Sequence, residues 1–190
     1  MAPTLRTDRL LLRRWKDADR GPFAALNADP EVMEHFPAPL TRGESDAMID
    51  RLEAGFDERG FGLWALETAA GEFIGFAGLS VPRFRAHFTP AVEIGWRLAR
   101  SAWGHGYATE AARRALAFAF DERGLDEVVS FTSVPNLRSR AVMERVGMSR
   151  DPSGDFDHPL VPEGHSLRRH VLYRTTAADW AAQALPGTDV

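Results

Sequence analysis

The sequence predicts an α/β (α+β) fold, a mixed central sheet with helices on its faces. Three observations predict it. The spacing of apolar residues switches repeatedly between a period of two and a helical period along the chain. Turn residues rather than linkers separate these stretches. A strand-helix-strand piece near the middle demands a right-handed crossover, which sets its two strands side by side and parallel. No internal repeat or low-complexity segment divides the 190 residues. That length suits one domain, 1–190, with a sizeable core.

The elements follow in order. "RLLLRRW" (9–15) reads as a first strand. Asp17 or Asp19 caps a helix that runs to about Asn27, and Asp29-Pro30 starts another short one, since proline fits the first helical position. "TRGE" (41–44) pairs Thr41 with Glu44 in a capping-box pattern. Behind it Ile49, Leu52 and Phe56 keep helical spacing until Gly60 stops the helix. "FGLWALE" (61–67) and "EFIGFAGLS" (72–80) are strands joined by "TAAG", a hairpin signature, and "AVEIGWRLA" (91–99) is a third.

A helix follows from about Tyr107 to Arg123, stopped by Gly124. Ala108, Ala111, Ala112, Ala115 and Ala119 form its narrow apolar stripe, widened by Leu116 and Phe120. "EVVSFTSV" (127–134) is the strand parallel to 91–99. Asn136 caps a short helix that Gly147 ends, and "SLRRHVLYRT" (166–175) is a late strand. The order is β-αα-βββ-α-β-α-β.

Composition narrows the function classes. The chain has 23 basic and 27 acidic residues, net −4, with 44% hydrophobic and 26% charged residues. That balance argues against nucleic acid as the main partner, because phosphate binding needs a basic footprint. There are no cysteines, which removes disulfides, thiolate catalysis and cysteine-based metal sites together. The opening "MAPTLRTDRLLLRRW" lacks the pattern of a signal peptide, and no apolar run reaches membrane-spanning length. The expectation is a cytoplasmic protein without a membrane partner. Apolar strand edges are compatible with a homodimer.

The most informative stretch is "SAWGHGYATEAARRA" (101–115). Gly104 and Gly106 bracket His105 between a strand end and the start of a good helix. Such a loop points unpaired backbone N–H groups outward and, with the helix dipole, forms an anion site. Arg97, Arg100, Arg113 and Arg114 surround it in sequence, against Glu110 alone. A plain strand-to-helix turn is the competing reading. Two phosphate motifs fail. A Walker loop needs Lys and Ser/Thr after its last glycine, where Tyr107-Ala108 stand, and a dinucleotide fingerprint needs a third glycine, where Thr109 stands.

"WGHGYATEA" resembles the pyrophosphate loop of the GCN5-related N-acetyltransferases, Q/R-x-x-G-x-G/A, at Trp103, Gly106 and Ala108. Trp103 departs from the Gln/Arg of the general pattern and is similar to the RimJ/RimL-type branch that acetylates ribosomal-protein N-termini. "TDRLLLRRW", "GEFIGFAGL", "VEIGWRL" and "NLRSRAVMERVGM" also match that branch, in order.

The resemblance implies a sheet of about seven strands, splayed between the fourth and fifth. It implies acetyl-CoA as co-substrate, no metal, and an acetyl transfer to a primary amine (a protein N-terminus or a small molecule) by direct attack. A non-catalytic acyl-CoA-binding sensor is the alternative. Pyrophosphate falls on Gly104, His105, Gly106, Tyr107, Ala108 and Thr109. Pantetheine falls along Trp96, Arg97 and Leu98, with the Leu98 amide as donor to the thioester oxygen, and Asn136 adds a contact. Much of the family has a tyrosine as general acid where this chain has Met143; the resemblance to the ribosomal branch suggests Ser139 as the acid, and a plain helix serine is the competing reading. For the base, the residues themselves offer Glu93 through water, or His158 or His165 in the polar loop "DFDHPLVPEGHS" (155–166). A metal held by Asp157, His158 and His165 is a minor alternative there.

Overall fold

A computed structural model describes residues 3–184; the remainder of the expected 1–190 domain, 1–2 and 185–190, lies outside the described residues. The chain divides into two compact units, Met1–Ser80 with Ile94–Ala115, and Val81–Glu93 with Leu116–Val190. The described residues form eight strands, against the seven or so expected.

In the first unit the strand order is β1 (Leu5–Arg6), β2 (Leu10–Arg13), β3 (Leu63–Thr68), β4 (Phe73–Ser80), β5 (Glu93–Leu98), and β1 to β4 pair antiparallel. The sequence missed β1 because two residues carry no period. Helix α1 (Arg20–Ala28) packs on α2 (Arg42–Arg59) and on β4. The capping box forms as expected: the Glu44 amide donates to Thr41 Oγ1 at 3.3 Å and the Thr41 amide donates to Glu44 Oε2 at 2.8 Å. Gly60 ends α2 at φ 74°, a left-handed value that glycine reaches without a Cβ clash.

The core of this unit is aromatic, with Trp15 and Phe23 centroids 4.7 Å apart and Phe73 and Phe76 beside them. At its edge the nearly buried Arg13 gives Asp19 two bonds, 2.7 and 2.8 Å. That pairing offsets the desolvation of both charges.

Residues 30–36 are turns, and the helix expected from Asp29-Pro30 does not form. Asp29 Oδ1 accepts from the Glu31 amide at 2.8 Å, so the cap is present. The chain then meets Pro37 and Pro39, each of which pushes the residue before it out of the helical region.

In the second unit β6 (Glu127–Ser133), β8 (Arg169–Thr176) and β7 (Ser149–Asp157) lie in that order, antiparallel. Glu93 pairs parallel with Val129, as the crossover required, and the Val129 amide donates to the Val92 carbonyl at 2.9 Å. Phe88, Val129, Phe156 and Leu172 form this unit's core, with Phe84 and Phe131 packed against it. Strand β7 was not expected, because "SRDPSGDFD" carries Pro and Gly. It forms beside β8 with a register break between Asp151 and Phe156, which absorbs Pro152 and Gly154.

Helix α3 (Tyr107–Ala117) is continuous with a wide π-turn over Phe118–Glu122, where the Arg123 amide reaches back to the Phe118 carbonyl. The expected helix 107–123 is thus helical but not uniformly α, and the wide turn keeps Phe118, Ala119 and Phe120 all buried. Helix α4 (Leu137–Arg145) follows Asn136 as expected. A last helix, α5 (Ala177–Ala184), was not expected although "TAAD" announces it: the Asp179 amide donates to Thr176 Oγ1, and Asp179 Oδ2 accepts from the Thr176 amide. Among the described residues no helix is long and apolar enough to cross a membrane.

Candidate active site

The glycine loop sits in the first unit between β5 and α3. Gly104 and Gly106 have φ of 81° and 79°, so both need the left-handed freedom of glycine. A Cβ at Gly104 would meet nothing within 4 Å, and one at Gly106 only Arg9 Nη2 at 3.6 Å. The loop therefore faces open space. The first helical bond runs from the Glu110 amide to the Gly106 carbonyl at 3.0 Å. The amides of Tyr107, Ala108 and Thr109 precede it, so they have no acceptor within the helix. The helix start thus leaves three donors and its positive end at an exposed loop, an arrangement suited to an anion.

The charges around the loop differ from those that sequence proximity suggested. Arg100 pairs with Glu31 at 2.7 Å while its guanidinium lies 5.1 Å over the Trp103 ring, and Arg113 and Arg114 have partners of their own. The cation that bonds to the loop backbone is Arg9, which donates to the His105 carbonyl at 2.9 Å and lies 4.8 Å over the Tyr107 ring. Arg9 also pairs with Glu110, whose carboxylate accepts from Thr7 Oγ1 at 2.6 Å and the Arg9 amide at 3.1 Å. Burial alone would raise the Glu110 carboxyl, but these bonds hold it below the usual range. The one acid in the loop is therefore neutralised. An open cleft of about 180 Å³ borders the loop, with Thr68, Ser101, His105 and Tyr107 among its walls.

Strand β5 runs into this loop. The Ala99 amide donates to the Ile74 carbonyl of β4 at 2.9 Å. Because strand groups alternate in direction, the Trp96 and Leu98 amides face away from β4. The Leu98 carbonyl, on that same side, accepts from Trp103 Nε1 at 3.0 Å. Trp103 therefore braces the end of β5 against the loop instead of reaching out as a Gln or Arg would. Gly75 lets β5 come this close, since a Cβ there would collide with the Arg97 carbonyl. Arg97, grouped by sequence with the cofactor residues, sends its guanidinium toward α1, where it donates to Asn27 Oδ1 at 2.6 Å.

The other candidates lie in the second unit. Asn136 is a helix cap: its Oδ1 accepts from the Ser139 amide at 3.1 Å and its Nδ2 donates to Thr132 Oγ1 at 2.9 Å. Among the described residues the half-buried Ser139 hydroxyl has no hydrogen-bond partner, whereas Met143 is 1% exposed and belongs to the core. Tyr173, also buried, already donates its hydroxyl to Glu144 at 2.9 Å. Glu93 opens β5 opposite Val129 and is engaged by neighbours.

His158 and His165 each bond to a backbone amide two residues on. His158 Nδ1 accepts from the Leu160 amide at 3.3 Å and His165 Nδ1 accepts from the Leu167 amide at 3.1 Å. Each neutral ring must then carry its proton on Nε2. His170, which the sequence reading passed over, stands 4.8 Å from His158 ring to ring. Its Nδ1 faces the Arg168 carbonyl at 3.0 Å. A carbonyl only accepts, so that nitrogen is the donor and Nε2 of the neutral ring is bare. Desolvation lowers the pKa of both rings, that of His158 to about 4 with a further push from His170. Asp157 turns to Arg169 at 3.2 Å, and among the described residues no three His, Cys, Asp or Glu side chains converge on a metal position.

Comparison with known proteins identifies this frame. The acetyltransferase (GNAT) domain family matches residues 9–149, three quarters of the chain, and the protein belongs to that family. It is accordingly an N-acetyltransferase, of a family that uses acetyl-CoA. It is 34% identical to the FsC-acetyl coenzyme A-N(2)-transacetylase of Aspergillus fumigatus, over 97% of this chain and 80% of that one. An acetyltransferase from Agrobacterium tumefaciens has the same fold, with TM-score 0.75 and 31% identity over 92% of this chain and 95% of that one. The putative ribosomal N-acetyltransferase YdaF of Bacillus subtilis is 42% identical over 93 residues, 48% of each chain. The likeness to a ribosomal enzyme thus covers half the protein, and the branch suggested by the sequence is not established by it.

Proposed function

We propose that the protein moves an acetyl group from acetyl-CoA to a primary amine, a protein N-terminal α-amine or that of a small molecule, by direct attack in a ternary complex, and that 1–190 acts as one domain. The observation that carries this reading is the glycine loop, whose Tyr107, Ala108 and Thr109 amides have no acceptor within the helix and follow glycines that border open space, beside a neutralised Glu110. The family match supports one domain, since it runs through residues of both units. The name of the Aspergillus relative, which specifies acetyl-CoA and an N(2) position, supports an amine acceptor.

The roles divide by residue. The amides from Gly104 to Thr109, with His105 between the glycines, hold pyrophosphate. The Trp96 and Leu98 amides, turned away from β4, bind the pantetheine arm, and Leu98 donates to the thioester oxygen as the carbonyl becomes an oxyanion. Asn136, already spent on two bonds, keeps one amide hydrogen for the cofactor. Ser139 returns a proton to the departing thiolate, an assignment supported by its unengaged hydroxyl. Proton removal from the amine falls to Glu93 through water or to the bare Nε2 of His170. The Nε2–H groups of His158 and His165 fit better as donors toward the acceptor than as bases.

Thiol release from acetyl-CoA, screened over peptides, amino acids and polyamines, tests the reading. Turnover with at least one amine, and acetyl-CoA binding by calorimetry, are the expected results. Binding without turnover would leave a sensor, and tight ATP binding without CoA binding would sink the assignment.

A further inference from the structure

The side chain of Arg97 is largely enclosed, yet among the described residues it has no counter-charge. Its guanidinium carbon lies 4.1 Å over the Phe36 ring and 5.5 Å from the Phe76 ring. Nη1 donates to Asn27 Oδ1 at 2.6 Å. The donor-only guanidinium fixes the Asn27 amide with Oδ1 toward Arg97, which leaves Nδ2 to donate to Ser45 Oγ at 2.9 Å, and both Asn27 and Ser45 are fully buried. Among the described residues the bond to Asn27 is the one bond the guanidinium makes: Nε is buried without a partner, and Nη2 has no hydrogen bond to any of them. Among the described residues no carboxylate lies within ion-pair distance: Glu31 of the neighbouring turn is taken by Arg100, and Glu34 lies beside His35. Desolvation pushes the Arg97 pKa down to about 10. Taking a guanidinium out of water without a partner is unfavourable by several kcal/mol. Arginine stays charged at neutral pH even so.

What is left open has a definite shape. Nε–H and one Nη2–H of a guanidinium point the same way and form a two-pronged edge that matches a carboxylate. In Arg97 that edge is unoccupied, while the opposite end is pinned to Asn27. The bond to Asn27 and the nearby Phe76 ring hold the plate in orientation before any ligand arrives. Phe36 lies over the plate; this ring is 37% exposed and sits on the turn before Pro37, where it is free to yield. The backbone adds a reason to separate Arg97 from the cofactor. Its carbonyl lies against Gly75 of β4, whereas the flanking Trp96 and Leu98 amides face the other way.

We propose that Arg97 is the seat for a carboxylate on the acceptor, so that the protein prefers amines that also carry an acid group. This rests on the acetyltransferase reading above. The carboxylate would bridge Nε and Nη2 with Phe36 swung aside, placing the acceptor against α1 and the turn after it. The desolvation of the guanidinium is already met in folding, so an arriving carboxylate gains the strong low-dielectric interaction at its own desolvation cost alone.

The test compares amino acids with their amides as acceptors in the thiol-release assay. The native protein should show kcat/KM at least tenfold higher for the acid of each pair. Arg97→Gln should bring the ratio to about one. Arg97→Lys, which keeps the charge but loses the fork, should fall between them. The acetyl-CoA Kd should be the same in all three by calorimetry. Equal turnover of acid and amide by the native protein overturns the proposal, as does turnover of amides and polyamines alone. A weaker acetyl-CoA Kd in Arg97→Gln with an unchanged acid-to-amide ratio would assign the cation to cofactor phosphate instead.

Binding of N-acetylated amino acids supplies a readout that needs no turnover, and it covers the case of Arg97→Gln failing to fold. They should bind the native protein and bind at least tenfold more weakly to Arg97→Lys; absence of binding to the native protein overturns the seat. If no amine is turned over but these acids still bind through Arg97, the acetyl-transfer reading fails while the seat stands.

Discussion

Replacing Gly106 by alanine separates backbone strain from ligand contact. The residue has φ 79°, and its added Cβ would meet only Arg9 Nη2 at 3.6 Å, an ordinary contact. No collision contributes, so the stability loss should be that of holding an L-residue left-handed, about 1–2 kcal/mol. For a chain of this length that lowers Tm by roughly 2–8 °C. Gly124 supplies the control. It has φ 62°, also with nothing within 4 Å of an added Cβ, and it closes the π-turn, away from the loop in sequence. Gly124→Ala should lose similar stability and keep its acetyl-CoA affinity. Gly106→Ala should in addition raise the acetyl-CoA Kd at least tenfold, ~1.4 kcal/mol, because the Cβ projects into the open space that borders the loop. Thermal melts and calorimetry on both variants decide the matter. Matching Tm losses with unchanged Kd in Gly106→Ala would refute the loop assignment.

Three further outcomes are expected. Asp19→Asn takes from the nearly buried Arg13 one of its two carboxylate partners, leaving Glu67 at 2.6 Å, and should destabilise by about 1.5–3 kcal/mol. Burial raises the Asp19 pKa, but bonds from Arg13 and the Lys16 amide outweigh it and hold the pKa below its unfolded value. Its contribution is therefore complete above about pH 4 and fades as pH falls through the lower folded value, which denaturant melts from pH 7 to 2 on the native and Asn variants would show. Trp103→Phe removes the bond to the Leu98 carbonyl and should lower kcat/KM for acetyl-CoA several-fold with a stability loss of about 1 kcal/mol; a purely packing role would leave kcat/KM intact. Ser139→Ala should lower kcat by up to roughly 10²-fold and spare acetyl-CoA affinity, and Met143→Tyr should not rescue it but lower Tm, because a ring placed at that buried position overpacks the core.

What was legible in the sequence was local. The Thr41–Glu44 box, the Gly60 stop and the Asn136 cap each join residues no more than four apart, so spacing alone specifies them. The crossover between 91–99 and 127–134 was legible for another reason, since chain handedness leaves one solution. Strand β7 was hidden because its partner supplies the order that Pro152 and Gly154 withhold. The histidines failed in a different way. Their tautomers depend on whether a ring nitrogen meets an amide or a carbonyl, and residue type says nothing about that. His170 looked like any strand histidine until the Arg168 carbonyl was seen beside Nδ1.

The charges show the same limit more sharply. Counting arginines near the loop in sequence named Arg97, Arg100, Arg113 and Arg114, yet the cation that holds the loop, Arg9, comes from about a hundred residues away. Arg100, adjacent in the chain, is spent on Glu31. Arg97 belongs to a different neighbourhood, since strand alternation carries its side chain to α1 while the Leu98 amide faces away from β4. Proximity in sequence predicts a field only when the intervening backbone turns the side chains the same way. On β5 successive residues turn opposite ways. Trp96 and Leu98 can therefore serve the cofactor while Arg97, between them, faces α1, where the seat proposed for the acceptor's carboxylate lies.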